Sequence, residues 1–167
     1  MLGLLVDAPR HGYEIAAELR PGTPIGEVWR VNRQLVYRAI DRLSALGLAE
    51  PRRHEPGEAG PPRTVYGATG QGRAAVDRWL ATPVEHLRDV RGALLLKLAL
   101  AHRLGVDARP LVEAQRAAFA GHLAALAEAP DPGDVVALWR HHSALAVSAF
   151  LDALAEASAA TKPRPTA

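Results

Sequence analysis

Arginine gives this sequence its clearest chemical signal. Between positions 30 and 63 stand seven arginines, Arg30, Arg33, Arg38, Arg42, Arg52, Arg53 and Arg63, against four carboxylates, Asp41, Glu50, Glu55 and Glu58. That is a local excess of three positive charges in a chain whose net charge is +2. Of the chain's 20 lysines and arginines only two are lysines, Lys97 and Lys162. A guanidinium is a planar fork that suits phosphate oxygens and guanine edges. By count alone, a compositional bias that also enriches alanine explains the arginines equally well. Catalytic patterns are absent: the chain has no nucleophile elbow, no glycine-rich phosphate loop and no paired-carboxylate signature. His54, His102 and His122 are scattered. His141 and His142 are adjacent, so on a helix they diverge by about 100° and make a poor ligand pair. With no cysteine there is neither a disulfide nor a thiolate metal site. These observations predict a protein that is not an enzyme and uses no cofactor or metal.

The arginines need elements to position them. Leu35, Val36, Ala39, Ile40, Leu43 and Leu46 recur at spacings of three and four, which predicts a helix from Asn32 to Leu46. Asn32 suits its N-cap and Gly47 its C-terminal stop. With Leu35, Val36, Ala39, Ile40 and Leu43 assigned to the core, Arg33, Gln34, Tyr37, Arg38, Asp41 and Arg42 form the other face. Gln34 can pair with adenine, Arg33 or Arg38 with guanine, and Tyr37 with a phosphate. Asp41 repels phosphate. An ordinary amphipathic helix with a charged solvent face is the bland alternative.

Helical patterns over Met1–Asp7 and His11–Arg20 precede it, the second with Tyr13, Ile15, Ala16 and Leu19 as apolar positions. Pro21-Gly22-Thr23-Pro24 breaks the pattern. Leu48–Arg53 and Arg63–Ala68 read as strands joined by a polar loop, His54–Pro62. A helix Gly70–Ala81 follows, capped by Thr69, with Ala74, Ala75, Val76, Trp79 and Leu80 inward. Three helices, a hairpin and a helix form the order of a winged helix-turn-helix domain. Arg52, Arg53, His54 and Arg63 flank the wing tip, where they can meet phosphates. Tyr13 fits either a phosphate contact or the core.

Three longer helical stretches come next, Leu87–Leu104, Ala108–Ala129 and Asp134–Ala160. Apolar residues make up 49% of the chain and aromatics only 5%, which favours closely packed Ala/Leu helices. The expected fold is mostly α with a small β-hairpin: a winged helix-turn-helix domain at 1–84, an α-helical dimerisation domain at 85–160, and a frayed Pro-rich tail at 161–167. No apolar run is long enough to span a membrane. Met1–Val6 is apolar but stops at Asp7 and reads as a buried first helix rather than a leader. The cysteine-free chain fits a cytoplasmic location.

Several segments together resemble the PadR family of bacterial transcription regulators. Leu2-Gly3-Leu4-Leu5 with Pro9-Arg10-His11-Gly12-Tyr13-Glu14-Ile15 is similar to that family's opening. Val36-Tyr37-Arg38-Ala39-Ile40-Asp41-Arg42-Leu43 with Gly47-Leu48 is similar to its recognition helix. Pro61–Tyr66, Thr69 and Gly72-Arg73 resemble its wing and the following cap. Arg78-Trp79-Leu80, Pro83-Val84, Asp89-Val90-Arg91 and Leu95-Leu96-Lys97-Leu98 resemble the entry to the C-terminal domain of the larger subfamily. The chain departs from the pattern at Gly67, where a longer side chain is common, and at Arg33-Gln34-Leu35, where small residues and proline are usual.

The resemblance implies a homodimer on a pseudo-palindromic double-stranded DNA site, clasped by the C-terminal helices. Half-sites would lie about one turn, roughly 34–36 Å, apart. It also implies a repressor released by a small-molecule effector, phenolic or drug-like, held near the dimer interface. Trp79, Trp139, His142 (with neighbouring His141) and Phe150 are the pocket candidates, with a packing role as the alternative for each. The carboxylates Asp41, Glu55 and Glu58 leave a second function open, that of a winged-helix protein-interaction adaptor without specific DNA binding.

Overall fold

The computed structural model describes residues 1–56 and 62–160. The wing tip, with Glu58, and the tail at 161–167 lie outside the described residues. The chain divides into two compact units, Met1–Leu80 with Leu95–Val106, and Ala81–Leu94 with the residues from Asp107 onward. The helix beginning at Leu95, which the sequence groups with the C-terminal helices, thus packs within the first unit.

The first unit runs α1 (Leu2–Asp7), β1 (Arg10–His11), α2 (Gly12–Glu18), α3 (Pro24–Val28), α4 (Arg33–Ala45), β2 (Ala49–Glu55), β3 (Arg63–Ala68), α5 (Gly70–Ala81) and α6 (Leu95–Leu104). The strands form one antiparallel sheet in the order β1-β3-β2. This is a winged helix with a three-stranded sheet, where the sequence predicts a two-stranded hairpin. Two residues are too few to leave a period, so β1 is invisible until β3 pairs with it, Arg10 opposite Tyr66 and His11 opposite Val65.

The short helix α3 is also unpredicted. The Pro21–Pro24 segment breaks α2, yet it also begins α3. Pro24 occupies the first helical turn, where a missing N–H costs nothing. Thr23 caps it by accepting the Gly26 N–H at 3.0 Å.

The sequence-based boundaries of α4 hold closely. Asn32 Oδ1 accepts the Leu35 N–H at 2.9 Å. At the other end Gly47 adopts φ +68°, a conformation glycine takes without a Cβ clash. It allows Leu48 N–H to reach the Leu43 carbonyl at 2.9 Å and Gly47 N–H the Ser44 carbonyl at 3.0 Å, a Schellman stop.

Val36 and Ile40 are buried with Leu4, Leu5, Ile15, Leu19, Ile25, Val65, Ala68, Val76 and Leu80. Leu35 is 45% exposed, and Ala74 and Trp79 also face solvent. They were expected in the core. The buried stripe of each helix is narrower than its apolar stripe.

Pro51 sits in edge strand β2, where its missing donor is tolerated. A bulge at Arg52 follows it. The Arg52 side chain lies over Gly67, where a Cβ would come within 2.8 Å of Nε, and Nη2 donates to the Ala68 carbonyl at 3.0 Å. Space left by Gly67 is therefore filled from β2.

Helix α6 is tied to this unit by Arg103, which donates to Asp7 at 2.8 Å and to both Glu18 oxygens at 2.8 and 3.0 Å. Lys97, also on α6, is buried and donates to the Trp79 carbonyl at 2.6 Å.

In the second unit the apolar run that predicts one helix over Leu87–Leu104 is broken. A 3₁₀ turn at Leu87–Asp89 and a π-helical turn at Val90–Leu94 precede α6. Gly92 lies in the π turn and weakens a regular helix there. Helices α7 (Arg109–Ala125) and α8 (Val135–Ala160) pack together; α7 ends four residues short of its predicted limit. Phe119 and Gln115 fill the core in place of Ala118, which is exposed. The buried Gln115 amide donates to the Val84 carbonyl at 2.9 Å and accepts its N–H at 2.7 Å, so no polar group of that pair is stranded.

Candidate nucleic-acid interface

The exposed side of α4 carries Arg33, Gln34, Tyr37, Arg38, Asp41 and Arg42, while Val36 and Ile40 anchor the opposite side. The amphipathic split makes this division: two fully buried positions fix the helix, and the polar residues take what remains. Leu35, 45% exposed, joins the polar face.

At the tip of α4 the side chains are organised further. The Arg33 guanidinium lies 5.4 Å from the Tyr13 ring centre and 5.9 Å from that of Tyr37. Arg20 lies 5.5 Å from the Tyr13 ring. Such separations are cation–π contacts. Tyr13 is therefore exposed and engaged with arginines, and its core alternative falls away.

The Arg20 guanidinium, by hydrogen bond and then by charge, holds the Tyr13 phenol below its ordinary pKa, with smaller help from Arg33 and Arg63. Gly12 permits this arrangement, since a Cβ there would stand 2.6 Å from Tyr37 Cε1. A cleft of about 410 Å³ results, lined by Arg33, Tyr37, Tyr13, Arg63, Thr64 and Tyr66 among others.

His11 forms part of its floor and caps α2. The imidazole Nδ1 accepts the Glu14 N–H at 3.2 Å, and the Glu14 carboxylate accepts the His11 N–H at 2.9 Å. This capping box aligns α2 and thereby Tyr13.

The predicted residues thus divide into three groups. Arg33, Tyr37, Tyr13 and Arg63 come together at the cleft. Gln34, Arg38 and Arg42 lie along the open face of α4. Arg52 and Arg53 are held by strand neighbours: Arg52 pairs with Glu50 at 2.9 Å and Arg53 with Glu55 at 2.7 Å. His54 Nδ1 and Thr64 Oγ1 share a hydrogen bond of 3.1 Å across the wing.

Sequence reasoning missed Arg20, His11, Thr64 and Tyr66. The signal for His11, Thr64 and Tyr66 is weak in the chain, because β1 meets β3 only in the fold, whereas Arg20 stands seven residues, about two helical turns, after Tyr13. The His11-Gly12 pair offered a clue, a cap followed by a residue that allows close approach.

None of the effector candidates is among the described residues lining this cleft. Trp79, in the first unit, is 37% exposed, and Lys97 Nζ stands 4.8 Å from its ring centre. In the second unit Trp139 is 73% exposed, His142 is exposed and Phe150 is half-buried. His141 is buried instead, with Nδ1 2.7 Å from the Leu126 carbonyl oxygen. Among the described residues, no cluster of three or more His, Cys, Asp or Glu side chains could hold a metal, and no helix is long and apolar enough to cross a membrane.

The matching family model agrees with the sequence resemblance. No curated protein matches the chain. Among solved structures, PadR of Bacillus subtilis, crystallised in complex with operator DNA, is 18% identical. That match has a TM-score of 0.48 and covers 92% of this chain and 94% of that one. Residues 1–78 match the family model described as the transcriptional regulator PadR-like family, a family of regulators rather than enzymes. The match spans just under half of the chain and most of its winged head, so residues 1–78 are similar to the PadR-like transcriptional regulators.

Proposed function

We propose that this chain is a homodimeric, sequence-specific DNA-binding regulator, a repressor released by a small-molecule effector. The observation that carries the DNA reading is the free polar face of α4, bordered by the tyrosine–arginine cleft and the wing strand. A helix of this diameter fits the major groove. Gln34 and Arg38 are the base readers, to adenine and guanine edges. Tyr37, Arg42 and Arg63 meet the backbone, and Arg53 does so once it leaves Glu55. Arg52 supports the wing strand. Asp41 sits one turn further along and leans that part of α4 away from the phosphates.

The dimer reading rests on α8. Val135, Trp139, His142, Leu145, Ala146 and Ala149 share one stripe, and all are exposed in the single chain. Val136 adds to it at 66% exposed. Large apolar side chains left to water along one helix mark an interaction surface, and a two-fold contact would bury the stripe on both copies. Trp139 and His142 on that stripe, with Phe150 on the same helix, offer ring stacking and an imidazole to a planar effector. Such an effector acts only if it binds the DNA-bound and free states unequally.

A gel shift with the DNA upstream of the protein's own gene tests the reading. A discrete complex at low salt that weakens steeply as salt rises is the expected result. Addition of phenolic compounds or antibiotics as probes should dissolve it if the effector assignment is right. No shift at low salt would leave the adaptor function as the better account.

A further inference from the structure

Arg20 and Arg33 stand 5.5 and 5.4 Å from the Tyr13 ring centre, Arg63 lines the same cleft as Arg33, and none of the three pairs with a carboxylate among the described residues. Arg52, Arg53, Arg103, Arg109 and Arg116 all have carboxylate partners. None of the described residues lining the cleft is acidic. Arg33 and Arg63, two like charges in one cleft whose described lining holds no carboxylate, suit a bound anion.

Arg33 is also held in place. Rings on two sides, Tyr13 at 5.4 Å and Tyr37 at 5.9 Å, restrain a side chain that is otherwise free to sweep the solvent. A guanidinium engaged by its face keeps its in-plane N–H donors available. Those donors suit tetrahedral phosphate oxygens close to the helix. Contact with the two rings favours a position close to the helix over one extended along the groove to a base edge.

We propose that Tyr13 is a positioning residue that holds Arg33 across the cleft, where Arg33, Arg63 and Tyr37 together grip one DNA phosphodiester. The tip of α4 is then a backbone anchor, and sequence reading starts at Gln34 and Arg38. This rests on the DNA-binding function proposed above and reassigns Arg33, one of the guanine candidates of the sequence. Tyr13 is not itself the phosphate ligand; it acts through Arg33.

Fluorescence anisotropy on the upstream duplex and on a random duplex, across a salt series, tests this. Arg33→Ala should weaken both duplexes by the same factor and reduce the slope of log affinity against log salt by about 0.9. Tyr13→Ala keeps every formal charge, yet should weaken both duplexes by about two- to fivefold, the size of an exposed cation–π contact. Tyr13→Phe, which keeps the ring, should restore most of that loss. A merely structural role for Tyr13 would lower the melting temperature, which the exposed side chain is expected to leave unchanged.

Single methylphosphonate substitutions should identify one position per half-site where neutralising the phosphate hurts the wild type clearly more than Arg33→Ala, which keeps only Arg63 and Tyr37 there. Loss confined to the upstream duplex, with an unchanged salt slope, would make Arg33 a base reader and overturn the proposal. Displacement of DNA by inorganic phosphate at matched ionic strength would overturn the assignment to the DNA backbone in favour of a free-anion site. Wild-type binding to both duplexes is the control that separates the two levels. Its absence would sink the DNA reading itself, whereas its presence with the wrong Arg33 pattern would sink the anchor alone.

Discussion

Replacing Gly12 by Ala perturbs the cleft with a single methyl group. The added Cβ would stand 2.6 Å from Cε1 and 2.9 Å from Cζ of the Tyr37 ring, far inside contact distance. Tyr37 is 43% exposed, so its ring can swing outward instead of straining the backbone. The fold should notice little. Alanine gains at most about 1 kcal/mol of helix propensity over glycine, and the displaced ring loses about 0.5–1 kcal/mol of contact with Arg33. The two nearly cancel, so the melting temperature should move by only a few degrees.

DNA binding should change more. Tyr37 would lose a phosphate hydrogen bond, about 0.5–1.5 kcal/mol, and Arg33 would lose one of its two supporting rings. Together they cost about 1–2 kcal/mol, or roughly 5–30-fold in affinity. Anisotropy on the upstream duplex, with thermal melting of the same samples, measures both quantities. Gly70→Ala is the control, because nothing lies within 4 Å of a Cβ there. If Gly12→Ala binds DNA as tightly as the wild type, the ring's place in the cleft has no bearing on recognition and the interface is wrongly drawn.

Arg103→Met should destabilise the first unit by about 2–3 kcal/mol, since it leaves Asp7 and Glu18 partly buried with only Arg10 as partner; chemical denaturation measures it. The same cluster sets an acid limit. Burial raises the Asp7 pKa, but hydrogen bonds and charge from Arg103 and Arg10 outweigh it. Bonding to Arg103 likewise lowers Glu18. Both carboxylates therefore contribute stability that is present above their unfolded values and lost as pH falls through the lower folded ones, below about pH 4. Acid titration of wild type and Arg103→Met should differ in that window and converge below it. Asn32→Ala should cost about 1 kcal/mol and speed amide exchange in the first turn of α4. Gln115→Ala strands the N–H and carbonyl of Val84 and should cost about 2–4 kcal/mol in thermal melting.

What the sequence reveals about this fold depends on period and punctuation. The 3.6-residue period of α4, its Asn32 cap and its Gly47 stop were all legible, because each acts within a few residues. The same holds for the strand patterns beside the wing. By contrast β1 exists only through pairing with β3, and α3 hides in a segment whose prolines read as a break. The π turn before α6 leaves the apolar run intact, so side-chain pattern alone cannot register it. Burial was legible to the nearest face but not to the residue: Leu35 and Trp79 carry apolar side chains into solvent, while Gln115 and Lys97 are buried because backbone carbonyls receive them. The candidate site follows the same rule. Its α4 residues could be sorted by helix geometry, but the meeting of Tyr13 and Arg33 requires the tertiary fold.

The exposed face of α4 as a base-reading surface is tested most directly by comparing wild type with Arg38→Ala on two duplexes, the upstream sequence and a random one, by anisotropy at fixed salt. A preference of the wild type for the upstream duplex is predicted, together with a loss of roughly 1–3 kcal/mol for Arg38→Ala on that duplex and a much smaller loss on the random one. Equal losses on both, or a wild type without preference, would contradict it.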